Sequence, residues 1–491
     1  RVTLGLPPSG PVSFAPAPGS TVHSSQPITA AFSGPLEGQV GYGGTCLSAP
    51  GTTPVGGTTM QLGVDVDVPA GSCTFTLTFT PAGGQQQTVE VIYDHSGEPS
   101  IELLSRDQSG TAAGGQSPSA SDDGSVVGFI SDGPLAPGVT AGTPHVYVHR
   151  GGEVEQVDVT PEGSPASGPI GRVPEVAVSS GGGHVAFTSE DQTLDPQGPV
   201  DADISGYVRD LAAGTTRHVS VDAGGAPIPV AQLPSLSADG AVVTYRGRNT
   251  LWWHILTTGE VGFVQDAQGQ PIPTGAGLSR PQLSAEGRYI TFQTDAALLT
   301  ADDNDGADVY LYDIAAETLE LISVAPDGTA GTVTTLQPQI ETGISGDGRY
   351  VVFAHAGGDL VAGEEVDPGH IYLRDRQAGT TVRISQGGSG VAGSASGRPQ
   401  ISDDGSWVVF SSDRTLIPST QGGCGVYRYD LAAAALDRVD LGATTGGNAN
   451  CPTRMDVAAG GAVVFDHVAA LHIDDDHTGP DVYRAAPRQG G

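Results

Sequence analysis

The sequence predicts an all-β protein: a seven-bladed β-propeller whose last blade is completed by an N-terminal strand, preceded by a small β-sandwich. Three observations predict it. First, a Ser, a Gly three residues on and an aromatic five further recur along the chain. The copies are Ser121, Gly124, Phe129; Ser179, Gly182, Phe187; Ser237, Gly240, Tyr245; Ser284, Gly287, Phe292; Ser345, Gly348, Phe353; and Ser402, Gly405, Phe410. A seventh, Val457, Gly460, Phe465, loses only the Ser. The aromatics are 58, 58, 47, 61, 57 and 55 residues apart, a period that marks one supersecondary unit repeated. Second, a strand-like word follows each copy: HVYVHR, GYVRD, LWWHIL, DVYLYD, HIYLRD, GVYRYD and DVYR. Third, the seventh unit ends at Arg484 without a last strand, while an unclaimed strand stands before the first.

Each unit reads as four strands. A short run before the Ser is strand one, and the Asp-Gly turn that follows uses Gly for its positive φ. A β-branched and aromatic run such as SWVVF is strand two. After a variable polar loop comes the VYxxD strand, then a short turn and a last strand of the type TLELIS or TVRIS. A lone sheet of this kind exposes both faces, and copies set radially around an axis bury them against one another. IELLS nearly duplicates LELIS, so Ile101, Leu103 and Ser105 are expected to complete the seventh blade and close the ring.

The repeated pattern PQISDDGSWVVFSS … VYRYD resembles the TolB-like propellers, a WD40-like repeat family marked by Pro-x-x-Ser-x-Asp-Gly ahead of a strand that ends in an aromatic and a Ser. The resemblance covers about four fifths of the chain and implies the propeller fold. Members include periplasmic scaffold proteins, caps on serine peptidases and a few polysaccharide lyases, so it implies no one chemistry. Residues 1–96 hold short alternating runs, PITAAFSG, LGVDVDVPAG, CTFTLTFTP and QTVEVIYD, between Gly and Pro turns. This part resembles the immunoglobulin-like modules of bacterial surface proteins, whereas TolB itself is expected to carry an α/β domain here. The expected division is a sandwich over 1–96 and a propeller over 97–491.

Glycine (73) and proline (36) are abundant, helical periodicity is almost absent, and no run of 18 apolar residues could span a bilayer as a helix. The chain begins with Arg, as a product trimmed of a signal peptide would, which predicts an extracellular or cell-surface location. Cys46 with Cys73 and Cys424 with Cys451 are natural disulfide partners, each worth about 3 kcal/mol through the unfolded chain; free thiols are the alternative. A net charge of −34 argues against nucleic acid and anionic membranes as partners. None of the 21 basic residues is Lys, which removes Schiff-base chemistry, a lysine general base and a Walker-type phosphate grip.

Two loops before strand three are rich in aspartate. Asp302, Asp303, Asp305 and Asp308 crowd the fourth unit, and Asp474, Asp476 and Asp481 the seventh. Asp308 and Asp481 both stand two residues after a Gly, so the feature belongs to the repeat. Clustered carboxylates on a turning loop suit Ca²⁺, although no Glu closes either loop as an EF-hand requires. The other reading is that these aspartates cap the strand by hydrogen-bonding their own loop. His355 and His467 lie two residues past the repeated aromatic, and His145 and His370 share the position of Asp308. No Gly-x-Ser-x-Gly, His-Glu-x-x-His or Cys-x-x-Cys occurs.

Two functional classes follow. One is a binding or structural protein that offers the top face of the propeller to a protein or glycan. The other is a metal-dependent, lyase-like enzyme acting on polysaccharide at the channel mouth. Self-assembly through the N-terminal domain is a third reading, with RVTLGLPP as a donor strand for a neighbour's exposed sheet edge.

Overall fold

A computed structural model describes most of residues 12–486; outside it lie the two termini and several inter-strand segments, the longest being 332–341, 386–395 and 441–450. The RVTLGLPP segment lies outside the described residues. Among the described residues the secondary structure is β throughout, apart from one 3-10 turn at Gln192–Leu194. No helix there is long and apolar enough to cross a membrane.

The first part of the chain forms two sheets. Val12–Ala15, Pro27–Phe32 and Thr59–Gly63 make a three-stranded sheet. Five strands make the other, in the order Thr21–Ser24, Gln87–Pro99, Gly71–Pro81, Leu36–Gly43 and Gly51–Pro54. In Gly71–Pro81 the alternation is strict: Cys73, Phe75, Leu77 and Phe79 are buried and the threonines between them are not. These side chains share one apolar cluster with Ile28, Ala30 and Phe32 of the smaller sheet, so the two sheets face a common core. The Cys46–Cys73 bridge lies within that cluster.

The rest is a propeller. Seven four-stranded antiparallel sheets stand among the described residues. Their first strands are Gln116–Ala120, Val176–Val178, Gln232–Leu236, Gln282–Leu283, Thr342–Ile344, Ser396–Ile401 and Met455–Val457. Each packs against the first strand of the next sheet, and Met455–Val457 returns to Gln116–Ala120, so the arrangement is a ring.

The repeated Ser-x-Asp-Gly word builds the turn that joins strands one and two. In Ser402 the hydroxyl donates to Asp404 at 2.6 Å and accepts the Trp407 amide at 3.0 Å, while the Gly405 amide returns to the Ser402 carbonyl. Gly405 holds φ at 72°, a conformation costly for any residue with a Cβ. Ser121 and Ser345 repeat this arrangement with Asp123 and Asp347. These turns are also tied to one another around the axis. The Asp122 amide donates to the Ser180 carbonyl, Gly181 to Ala238, Ala238 to Ala285, Glu286 to Gly346, Gly346 to Asp403, and Ala459 back to Asp122. Within six of the sheets, a Phe of strand two and the Tyr opposite it in strand three have ring centres 5.8–6.0 Å apart, from Phe129–Tyr147 to Phe465–Tyr483.

The last sheet holds strands from both ends of the ring. Met455–Val457, Val463–His467 and Asp481–Ala485 are followed in space by Ile101–Leu103, with Tyr483 opposite Leu103 and Ala485 opposite Ile101. Its backbone repeats that of the other sheets: the Leu104 amide donates to the Val482 carbonyl as Ile322 does to Val309 and Ile384 to Ile371. Ile101 and Leu103 are buried in one cluster with Met455, Phe465 and Tyr483. Leu103→Ala should therefore cost about 2–5 kcal/mol, as for other buried leucines, whereas Val382→Ala at an exposed site should change the urea midpoint little. Equal midpoints for the two variants would place residues 101–105 outside the cooperative unit.

Candidate functional site

Strand three begins at a buried polar junction that recurs from sheet to sheet. Its second residue donates its amide to a side chain just past the end of strand four: Val309 to Ser323 at 2.9 Å, Ile371 to Ser385 at 2.9 Å, Gly206 to Ser220 at 2.9 Å and Val146 to Asp158 at 3.1 Å. The same side chain binds the first residue of strand three. Ser323 donates to Asp308 at 2.5 Å, Ser385 lies 3.1 Å from His370 Nδ1, and Asp158 lies 2.8 Å from His145 Nδ1. In the last sheet Ser105 takes this place, donating to Asp481 at 2.6 Å and accepting the Val482 amide at 3.1 Å. The sequence-marked Asp308, Asp481, His145 and His370 are thus held in one structural role.

The aspartates before Asp308 do not all converge. Asp302 is buried and accepts the Tyr310 hydroxyl through Oδ2, leaving Oδ1 without a hydrogen bond. Asp303 is exposed. Asn304 donates to Asp308 and to the Gly331 carbonyl. Asp305, Asp474 and Asp476 lie outside the described residues. Among the described residues no three His, Cys, Asp or Glu side chains gather as metal ligands would. His355 sits opposite His370 in the strand register, fully buried against Phe353 and Tyr372; burial holds its pKa down. His467 is buried opposite Asp481. The Cys424–Cys451 bridge joins the residue just before strand three of the sixth sheet, Gly425–Asp430, to the segment leading into the seventh.

A set of charges that the motif reading passed over lines the axis. The first strands enclose a cavity of about 90 Å³ whose wall carries Asp122, Arg280, Gln282, Gln400, Asp403, Arg454 and Asp456. Arg280 is 7 % exposed and its Nε lies 3.9 Å from Oε2 of the buried Glu175. Burial raises the pKa of Glu175, against the attraction of Arg280. Asp403 is pushed up to about 6, by burial first and then by the charges of Asp122, Asp456 and Asp404, while the Ser180 hydroxyl opposes the rise. Asp456 and Asp466 are raised by burial too. The available signal was a charged residue inside the short run before the repeated Ser, as in VPEVAVS, SRPQLS and CPTRMDV.

Asp308 is likewise pushed up to about 6, by burial first and also by Asp302, with Ser323 and Asn304 working against the rise. Both folded-state values exceed the ordinary 3.8, so the stability these groups confer is fully present below about pH 4 and is lost as pH rises through about 6. Exposed turn aspartates such as Asp123 are held low by their Ser donors and act oppositely, but only below their ordinary range. Over about pH 7.5 to about pH 5 the buried His149, His254 and His355, lowered mainly by burial, work against these aspartates, so the readout is a difference: on going to the lower pH, Asp308→Asn should gain less melting temperature, or lose more, than the natural chain. A pH dependence unchanged in Asp308→Asn contradicts the assignment.

No protein-family model matches the chain, and no curated protein matches it. Among solved structures, the β-propeller domain of the trilobed protease from Pyrococcus furiosus is similar at 11% identity, over 76% of this chain and 95% of that one, with a TM-score of 0.45. The tricorn protease aligns at 11% identity over 89% of this chain and 40% of its own, with a TM-score of 0.41. A puromycin-hydrolyzing peptidase from Mycobacterium tuberculosis aligns at 12% identity over 80% of this chain and 57% of its own, with a TM-score of 0.41.

Proposed function

We propose that the chain is a secreted or cell-surface binding protein: a seven-bladed, TolB-like propeller closed by residues 101–105, which offers the loops between strands two and three to a protein or glycan. In this reading residues 1–96 are an immunoglobulin-like sandwich serving as spacer or assembly contact, and residues 97–491 are the propeller. The observation that carries it is how those loops are anchored. The buried hydroxyl of a strand-three tyrosine donates to the base of the loop in sheet after sheet: Tyr147 to the Gly133 carbonyl, Tyr207 to Asp191, Tyr372 to Gly357 and Tyr427 to Arg414. Rigid roots carrying loops of unlike sequence are the usual design of a recognition surface. The acidic and imidazole groups at the start of strand three support this reading because they are engaged in holding the loops' far ends.

Binding without turnover is the expected behaviour. Immobilised full-length chain should retain one or more members of a panel of neutral and acidic polysaccharides and extracellular proteins, and an acidic polysaccharide incubated with it and Ca²⁺ should yield no unsaturated product by ultraviolet absorbance. Accumulation of that product would replace this reading with the lyase-like one.

A Ca²⁺ ion at the Asp302–Asp308 loop is a second proposal, favoured by the buried and unpartnered Oδ1 of Asp302 beside Asp308. Added Ca²⁺ should then raise the melting temperature of EDTA-treated protein, and Asp302→Asn should abolish the rise; identical midpoints with and without Ca²⁺ exclude the ion.

A further inference from the structure

Arg280 leads into the first strand of the fourth sheet and extends its guanidinium toward the first strands of the third and second sheets. One nitrogen, Nη2, donates to the Pro234 carbonyl of the third sheet at 3.4 Å. Nε and Nη1 have no hydrogen-bond partner, and neither has Glu175 Oε2, the acceptor facing Nε at 3.9 Å. A guanidinium stays charged at every physiological pH, and burying its donors unfilled is costly. The residue is more than nine-tenths buried and forms part of the wall of the axial cavity. Arg454 lines the same cavity with a buried, unpartnered Nη1 of its own.

We propose that the channel binds a small organic acid, its carboxylate held by the unfilled guanidinium nitrogens of Arg280 with Arg454 in the same wall. A planar guanidinium matches a carboxylate or a phosphate in shape. The surroundings choose between them. Asp122, Asp403 and Asp456 share the cavity, and they repel a doubly charged phosphate more than a singly charged carboxylate. Among the described residues Glu175 is the carboxyl paired with Arg280, and Asp456 lies within range of the same charge, yet at 3.9 Å Glu175 leaves the facing atoms unfilled and does not occupy the place of a ligand. The site is independent of any partner on the loop face, because its walls are the innermost strands and not the loops between strands two and three.

The test is a calorimetric titration of the full-length chain with sodium acetate, sodium lactate and inorganic phosphate at constant ionic strength. Saturable uptake of a carboxylate with a dissociation constant in roughly the millimolar range is expected, with phosphate weaker. Arg280→Lys keeps the charge but loses the fork and should weaken the carboxylate at least about tenfold. Glu175→Gln removes the neighbouring acid, keeps the shape, and should bind at least as tightly as the natural chain. Arg217→Gln, on an outer strand, should leave binding unchanged. Absence of saturable uptake overturns the proposal, as does equal affinity in Arg280→Lys, loss of binding in Glu175→Gln, or phosphate binding as tightly as the carboxylates. Should Arg280→Lys prove unstable, the Glu175→Gln and phosphate results still decide.

Discussion

The architecture depends on one buried junction, the side chain past the end of strand four that takes an amide and a polar partner from the start of strand three. Ser323 serves Val309 and Asp308 within a single repeat, fifteen residues apart or fewer. Ser105 serves Val482 and Asp481 across almost the whole propeller. The geometry is the same in both cases, so the closing strand is an ordinary fourth strand supplied from the other end of the chain. Arg484 adds an ion pair to Glu102 in the same register. Because a ring has no free edge sheet, every sheet is covered on both faces once this joint is made.

That closure sets the electrostatics of the axis. Seven short first strands converge on it, and ionisable groups in them or next to them, Glu175, Arg280, Asp403 and Asp456, are reached poorly by water. Carboxylates brought there rise in pKa because burial penalises their charged form, which is why Asp403, Asp456 and Glu175 shift together. The turn aspartates one residue away from the axis behave in the opposite manner. Asp123 and Asp239 accept a Ser hydroxyl and backbone amides at the solvent edge and are held low. A single repeated word therefore places one acid in a stabilising turn while its neighbour, Asp122 or Asp403, faces the channel.

Much of the fold was legible because repetition averages out local ambiguity. The Ser-x-Asp-Gly word announced its own turn: a positive φ at Gly and a Ser hydroxyl bridging the turn are required by the residue types. The pairing partner of Ile101 was readable from its likeness to the strand ending at Leu321. The site was less legible. Asp308 and Asp481 look like ligands in a linear reading, since the Ser that satisfies each lies past the end of another strand, and in the second case at the other end of the ring. Arg280 and Glu175 sit in different repeats and meet only when first strands converge, so no spacing in the chain joins them. A small connector after strand four also went unread: the bridges Arg106 to Ala112, Val221 to Pro227 and Gln265 to Pro271 are built on an Asp that accepts two amides of its own turn.

Ring closure by residues 101–105 is the claim on which the two faces, the channel and the sites assigned to them all rest. Native-state hydrogen exchange of the intact chain, read by mass spectrometry on peptides covering 101–105 and 481–485, tests it most directly. Closure predicts that both peptides exchange together, at the slow rate of the central strands such as Val309 and Leu311. Rapid exchange of 101–105 beside a protected 481–485 would contradict it.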